Sequence, residues 1–202
     1  MIIDLRDYTT NPGMRDALIE RCESLFFPEQ ERLGATIVGL FRDADDENRY
    51  VWLRAAPDLA ARQRILTAFY SDGEMWQAHR DEVNTWIADS DNVLLLRPAA
   101  EIAEAATGAS IIGMYSLIGR EPLDDAAARR REIENAIAAV GGRLLVTLAT
   151  DPSENNYPRH AIRVGDHGLV WFATFAPEHD CAIGVASLAT RRLRPAATSR
   201  LR

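Results

Sequence analysis

Val51-Trp52-Leu53-Arg54-Ala55-Ala56-Pro57-Asp58 reads as a strand running straight into a helix start, and the chain uses this device twice. Val51-Trp52-Leu53 followed by Ala56-Pro57-Asp58 is answered by Val170-Trp171-Phe172 followed by Ala176-Pro177-Glu178. A second pair keeps the same order, Leu96-Arg97-Pro98-Ala99-Ala100 and Leu193-Arg194-Pro195-Ala196-Ala197. Self-similar segments at corresponding elements mark internal duplication. The chain is therefore read as two halves built on one plan.

Upstream of the first copy, Ile3 and Leu5 alternate with Asp4, Arg6 and Tyr8, which is strand periodicity. Asn11-Pro12-Gly13 makes a turn, and Met14, Leu18, Cys22, Leu25 and Phe26 then recur at helical spacing up to Gly34. Residues 37–41 and 50–55 are β-rich runs joined by the polar 43–48 turn. A helix follows Pro57-Asp58 with Leu59, Leu66 and Phe69 on one face, then an amphipathic segment with Trp76, His79, Val83 and Trp86, then the apolar strand 93–96. The order is β-α-β-β-α-β, a ferredoxin-like half.

The second half follows suit. Residues 111–118 read as a strand and 126–140 as a helix ended by Gly141-Gly142. Strands follow at 144–148 and 169–175, then a short element after Pro177 and a last strand near 191–194. This half carries an insert at 151–166 and lacks a counterpart of the Trp76–Trp86 segment. The fold class is α+β, in two tandem ferredoxin-like domains, 1–100 and 101–202.

A four-stranded antiparallel sheet covered by helices on one side leaves its other side bare. Ile3, Leu5, Val51 and Leu53 are assigned to the helical layer, and Asp4, Arg6, Tyr8, Tyr50, Trp52 and Arg54 to the opposite face. Strand 169–175 offers Leu169, Trp171, Ala173 and Phe175 on one side and Val170, Phe172 and Thr174 on the other. Large aromatics cannot stay wet. The two sheets must meet, within one chain or between subunits, as a closed or nearly closed barrel.

Composition narrows the function. The chain has 202 residues, long enough for a core without staples. Its formal charge of -7 opposes phosphate backbones, so no nucleic-acid partner is expected. The arginines at 191, 192, 194, 200 and 202 are read as a solvated final strand and tail. No apolar run reaches membrane-spanning length, and Asp4 arrives too early for a signal peptide, so a cytoplasmic location is expected. Neither Cys22 nor Cys181 has metal or redox spacing.

The opening Leu5-Arg6-Asp7-Tyr8-Thr9 with Asn11-Pro12-Gly13, then Val51-Trp52-Leu53, Tyr70-Ser71-Asp72 with Trp76, and Leu95-Leu96-Arg97-Pro98 resemble the NIPSNAP family. Asn155-Asn156-Tyr157-Pro158-Arg159-His160-Ala161-Ile162-Arg163-Val164-Gly165, followed by Val170-Trp171-Phe172, resembles the most distinctive segment of its bacterial two-domain members. The resemblance implies a dimeric α/β-barrel of ferredoxin-like units. That superfamily includes cofactor-independent monooxygenases, haem-handling enzymes, isomerases and stress proteins. The chain departs from the family pattern at His160-Ala161, where leucine-proline is more typical.

The candidate ligand-binding residues are Arg6, Tyr8, Tyr50, Trp52, Tyr115, Asn156, Tyr157, Arg159 and Trp171. Long loops inside compact domains often carry function, and 155–163 brings amides, a phenol, guanidinium groups and an imidazole together. Arg159 can hold a carboxylate or phosphate bidentately. The plainer role of the tryptophans is packing between sheets, and that of the insert is capping a barrel end. Metal ligation by Glu178-His179-Asp180-Cys181 and haem ligation by His79 are set aside, so neither metal nor cofactor is expected. No Gly-rich phosphate loop, nucleophile elbow or HExxH sequence occurs. Two functions stay open. One is a binding protein for a small molecule or protein partner, expected as a homo-oligomer. The other is a cofactor-independent monooxygenase or isomerase acting on a small aromatic or anionic substrate.

Overall fold

The computed structural model describes residues 1–99, 111–119, 125–176, 183 and 189–201, with the backbone alone at 111, 112, 114–118 and 189. The Glu178–Cys181 run lies outside the described residues. The first half is β1 (Ile2–Thr10), α1 (Arg15–Arg21), a π-helical turn (Cys22–Phe26), α2 (Phe27–Arg32), β2 (Thr36–Asp43), β3 (Arg49–Ala56) and α3 (Leu59–Leu66). A second π-helical turn (Thr67–Ser71), α4 (Glu74–Asn84), β4 (Ile87–Asp89) and β5 (Val93–Pro98) complete it. Then come β6 (Ile111–Gly119), α5 (Ala126–Ala139), β7 (Arg143–Thr150), β8 (His167–Phe175) and β9 (Ala189–Pro195). Two helices start on an aspartate cap, the Asp58 carboxylate accepting from the Ala61 amide and the Asp125 carboxylate from the Ala128 amide, each at 2.7 Å.

The sheet is antiparallel throughout and closes on itself. Its strands lie in the order β3-β2-β9-β6-β8-β7-β5-β1, and β1 also pairs with β3, which completes an eight-strand circuit within one chain. The short β4 attaches to the end of β1. Strands from either side of residue 100 meet at two seams. β2 meets β9 through Phe41–Pro195 and Asp43–Leu193, and β5 meets β7 through Leu96–Thr150 and Pro98–Leu148.

The circuit settles which face is inside, and it reverses the expectation. Ile3, Leu5, Val51 and Leu53 join Phe41, Leu96, Val146, Leu148, Val170, Phe172 and Leu193 in one buried cluster that contains no helical residue. Phe41 and Phe172 stack across it at 5.5 Å. This is the barrel bore. Tyr8, Tyr50 and Trp52 lie beneath the helices instead, with Leu18, Cys22, Phe26 and Phe69. Trp171 likewise packs with Ile133 and Ile137 of α5. Alternation tells which residues share a face and is silent on which face turns inward. An eight-stranded barrel is just wide enough for side chains to fill. Aliphatic chains suit that bore, and the larger rings occupy the wider gap under the helices. Neither face is left wet, so the enclosure stands with its lining exchanged.

Asp7, in phase with Leu5, caps one end of the bore. It accepts from Arg49 at 3.2 Å, Arg191 at 2.9 Å and Asn92 at 3.1 Å, and Arg191 also lies 3.8 Å from Asp43. The C-terminal segment is not the solvated tail expected of it. The Ala196 and Leu201 amides donate to the carbonyls of Leu40 and Val38, and Ser199 and Leu201 are buried.

Candidate functional site

The outer face of β1 presents Asp4, Arg6 and Tyr8 to the helices, opposite Arg54, Trp52 and Tyr50 of β3. This register puts a guanidinium next to an indole and two phenols. The Arg6 Cζ lies 5.3 Å from the Tyr8 ring centre and 5.4 Å from that of Trp52. Its Nε donates to the Tyr8 hydroxyl at 2.5 Å. Its Nη2 donates to Nδ1 of His160 at 2.8 Å. Behind it, Asp4 accepts from Arg54 at 2.6 Å and from Arg62 at 2.8 Å, and Arg54 donates onward to Gln30.

Both π-helical turns open onto this face. One contributes Cys22 and Phe26, the other Phe69 and Tyr70, and Phe26 meets Phe69 edge-on at 5.8 Å. Each extra residue widens the helix locally and rotates its side chains, a device common at functional sites. A pocket of roughly 290 Å³ results, lined by Arg6, Tyr8, Tyr50 and Trp52 from the sheet and by Cys22, Phe26, Phe69, Tyr70 and Trp76 from the helices. Arg159, His160 and Ala161 line it from the 151–166 insert.

That insert is held by a latch. Tyr157 is buried, with its hydroxyl 2.9 Å from Oγ of Ser71, and Arg159 donates to the same Oγ at 3.1 Å. Asn156 accepts from Arg62 at 2.6 Å and donates to the Leu59 carbonyl at 2.5 Å. The Asn155 amide spans to the His160 carbonyl at 2.7 Å. The His160 ring is thereby set edge-on to Tyr70 at 4.2 Å. The second half of the chain thus supplies one wall of a pocket in the first.

Burial and charge set the protonation states. Burial alone would raise the Asp4 carboxyl, but Arg54 and Arg62 overcome it and hold it at about 2. Burial, then the neighbouring Arg6, depress His160 to about 2, so the ring is neutral. Burial pushes Tyr8 up to about 12 against the pull of Arg6, and it pushes the Cys22 thiol up to about 12.

Of the expected residues, Arg6, Tyr8, Tyr50, Trp52 and Arg159 line one pocket. Asn156 and Tyr157 work in the latch. Trp171 lies outside the pocket, under α5. The backbone of Tyr115 pairs with Trp171, and its side chain lies outside the described residues. Sequence reasoning missed Tyr70, Phe26, Phe69 and Trp76 as lining and Asp4, Arg54 and Arg62 as a buried charge cluster. The signal available was an arginine or aspartate recurring between apolar strand residues, Asp4-Leu5-Arg6 and Leu53-Arg54-Ala55. His79 stands outside the lining, its Nδ1 3.0 Å from Arg21. Among the described residues no three potential metal ligands gather, and no helix is long and apolar enough to cross a membrane.

The class is now defined: an α+β protein whose curled antiparallel sheet carries helices outside and a side-chain pocket between the two layers. Residues 3–101 match the model of the NIPSNAP family, and through this domain the chain belongs to that family. Two solved structures, each described as a "putative monooxygenase", are similar over nearly the whole chain. The one from Lactobacillus acidophilus NCFM is 13% identical, covering 96% of this chain and 93% of its own, with a TM-score of 0.54. The one from Fusobacterium nucleatum is 12% identical, covering 96% and 91%, with a TM-score of 0.57. These likenesses concern fold alone. An uncharacterized NIPSNAP domain protein from Burkholderia xenovorans aligns with 50% of this chain and 96% of its own at 20% identity, with a TM-score of 0.44. No curated protein matches the chain.

Proposed function

We propose that this NIPSNAP protein binds a small molecule in the pocket between the outer face of β1 and β3 and the helices above it. The observation that carries the reading is Arg6, a buried guanidinium set among aromatic rings on the floor of a cavity of roughly 290 Å³. Ligand sites are concave and mostly apolar, with a few placed polar groups. Two π-helical turns that both open onto the cavity support the same site.

The chain is best understood as two ferredoxin-like halves joined into a single-chain counterpart of a dimeric α/β-barrel. The strand orders β2-β3-β1-β5 and β7-β8-β6-β9 support this, because each is the same permutation of a four-strand plan.

Binding is preferred to catalysis on the chemistry of the lining. The two whole-chain neighbours are described as monooxygenases, and a cofactor-free enzyme of that kind needs a base to take a proton from its substrate. A useful base titrates near the working pH. His160 is held neutral with Nδ1 committed to Arg6, Tyr8 keeps its proton far above neutrality, and Asp91, the lining carboxylate among the described residues, is exposed.

Amide chemical-shift mapping with a fragment library of one- and two-ring compounds tests the reading. Shifts clustered at Arg6, Trp52, Tyr70 and His160 are expected. Fragments that bind only elsewhere would overturn it.

A further inference from the structure

We infer that the molecule held in this pocket is an aromatic oxyanion, a carboxylate or phenolate whose charge is seated against Arg6 beside Trp52. This rests on the pocket-binding reading above and adds the ligand's charge to it.

The first argument is a count of buried charge. Under the pocket floor Arg6, Arg54 and Arg62 are 2%, 3% and 2% exposed, and the carboxylate among them, Asp4, is 1% exposed. Asp4 is consumed by Arg54 and Arg62, which take its two oxygens. Among the described residues no carboxylate lies within ion-pair distance of Arg6. Its hydrogen-bond partners are a phenol and a neutral imidazole. A buried charge without a counter-charge is costly, and proteins pair such groups.

The second argument is independent of charge. Arg6 Nη1 and Trp52 Nε1 are buried and have no acceptor among the described residues, and both residues line the pocket. A guanidinium and an indole N–H can only donate. Buried donors without acceptors are rare enough to ask for an explanation. An oxyanion entering among the rings supplies the acceptors and the charge together. A neutral ligand supplies at best the first.

The remaining polar groups agree. Arg6 occupies Nδ1 of His160, which leaves the imidazole proton on Nε2, a donor. Tyr8 accepts from Arg6 and keeps its own proton to give. The floor is therefore a surface of donors, suited to stabilising negative oxygen. The walls are the rings of Phe26, Phe69, Tyr70 and Trp76, which favour a planar apolar body of one or two rings.

The test compares 1-naphthoate with the near-isosteric, uncharged 1-naphthamide by calorimetry, on the wild-type chain and on Arg6→Gln. Naphthoate should bind wild type about tenfold or more tightly than naphthamide, and Arg6→Gln should erase the difference. Trp52→Phe, which keeps the ring and deletes the N–H, should weaken naphthoate in a chain with Arg6 intact, and it serves if Arg6→Gln fails to fold. Equal affinities in wild type overturn the inference and leave the pocket a small-molecule site. Failure of both probes at millimolar concentration also overturns it, and the fragment map then decides separately whether the pocket binds anything.

Discussion

Arg6 and His160 stand 154 positions apart in the sequence and 2.8 Å apart in the fold, Nη2 of one donating to Nδ1 of the other. Because a guanidinium has no lone pair to offer, this contact fixes the imidazole as the Nε2–H tautomer. Burial makes the ring's protonation unfavourable, and so does the contact, since a second cation would face Arg6, with Arg54 and Arg62 behind it and Asp4 in opposition.

A pH dependence follows. His160 is held at about 2 in the folded chain against 6.5 for an ordinary histidine, so below 6.5 the unfolded chain binds the extra proton. Stability is whole above 6.5 and declines as pH falls from there toward 2. Long-range 1H–15N spectra should show a neutral His160 ring at pH 7 and still at pH 5.5. Thermal melts should fall between those pH values, and fall less in His160→Gln. A His160 that titrates near 6.5 in the folded protein would falsify the assignment.

Asn156 is the second test of the insert's attachment. Removing its side chain leaves Arg62 Nη1 with only the 3.5 Å contact to Asn155, beside an Nη2 that already lacks an acceptor among the described residues, and takes a donor from the Leu59 carbonyl. Leaving buried polar groups unpaired costs about 1–3 kcal/mol. Asn156→Ala should lower the melting temperature by several degrees and raise amide exchange across 151–166. Asn156→Asp, which keeps an acceptor for Arg62, now charged, but sets its second oxygen against the Leu59 carbonyl, should melt between wild type and Asn156→Ala.

Barrel closure makes a prediction about assembly. Both seams join strands of the same chain, so the sheet needs no second copy to finish it. Diluted until it sediments as single chains, the protein should therefore keep its fold and still unfold in one cooperative transition. Asp7→Ala should cost about 2 kcal/mol in urea unfolding, because it leaves Arg49 with Asp46 alone and Arg191 with only the longer contact to Asp43 at the barrel end. Loss of the fold on dissociation to single chains would show that closure relies on another subunit.

How much of this was legible in the sequence depends on the length scale of each feature. Strand alternation and helical spacing are local, so Ile3-Asp4-Leu5 and Met14-Leu18-Cys22 disclosed their elements. The repeated Val-Trp segments lie on two strands, β3 and β8. The face that turns inward is decided by how β2 meets β9 and β5 meets β7, pairings far apart in sequence, and the assignment of Trp52 was inverted for that reason. The π-helical turns leave no compositional trace. The pocket was half legible: Arg6, Tyr8 and Trp52 share a strand face by alternation alone. Tyr70 joins them through the π-helical turn, and His160 once the insert has docked on Ser71 and Leu59.

Gly73 links backbone geometry to the pocket. A Cβ there would come within 2.3 Å of the Phe69 carbonyl oxygen and 2.9 Å of that of Ala68. These are backbone atoms of the π-helical turn and cannot swing aside as a side chain would. Gly73→Ala must therefore shift Thr67–Ser71, the turn that sets Phe69 and Tyr70 in the wall and holds Ser71 under Tyr157 and Arg159. Overpacking of this kind costs about 1–3 kcal/mol. Gly141→Ala is the matched control. Its Cβ meets nothing within 4 Å, but its φ of +75° is strained for alanine, so it should lose about 1 kcal/mol at the far end of α5. Both variants should melt early. Only Gly73→Ala should weaken 1-naphthoate binding, and equal binding by the two would mean that the π-helical turn does not shape the site.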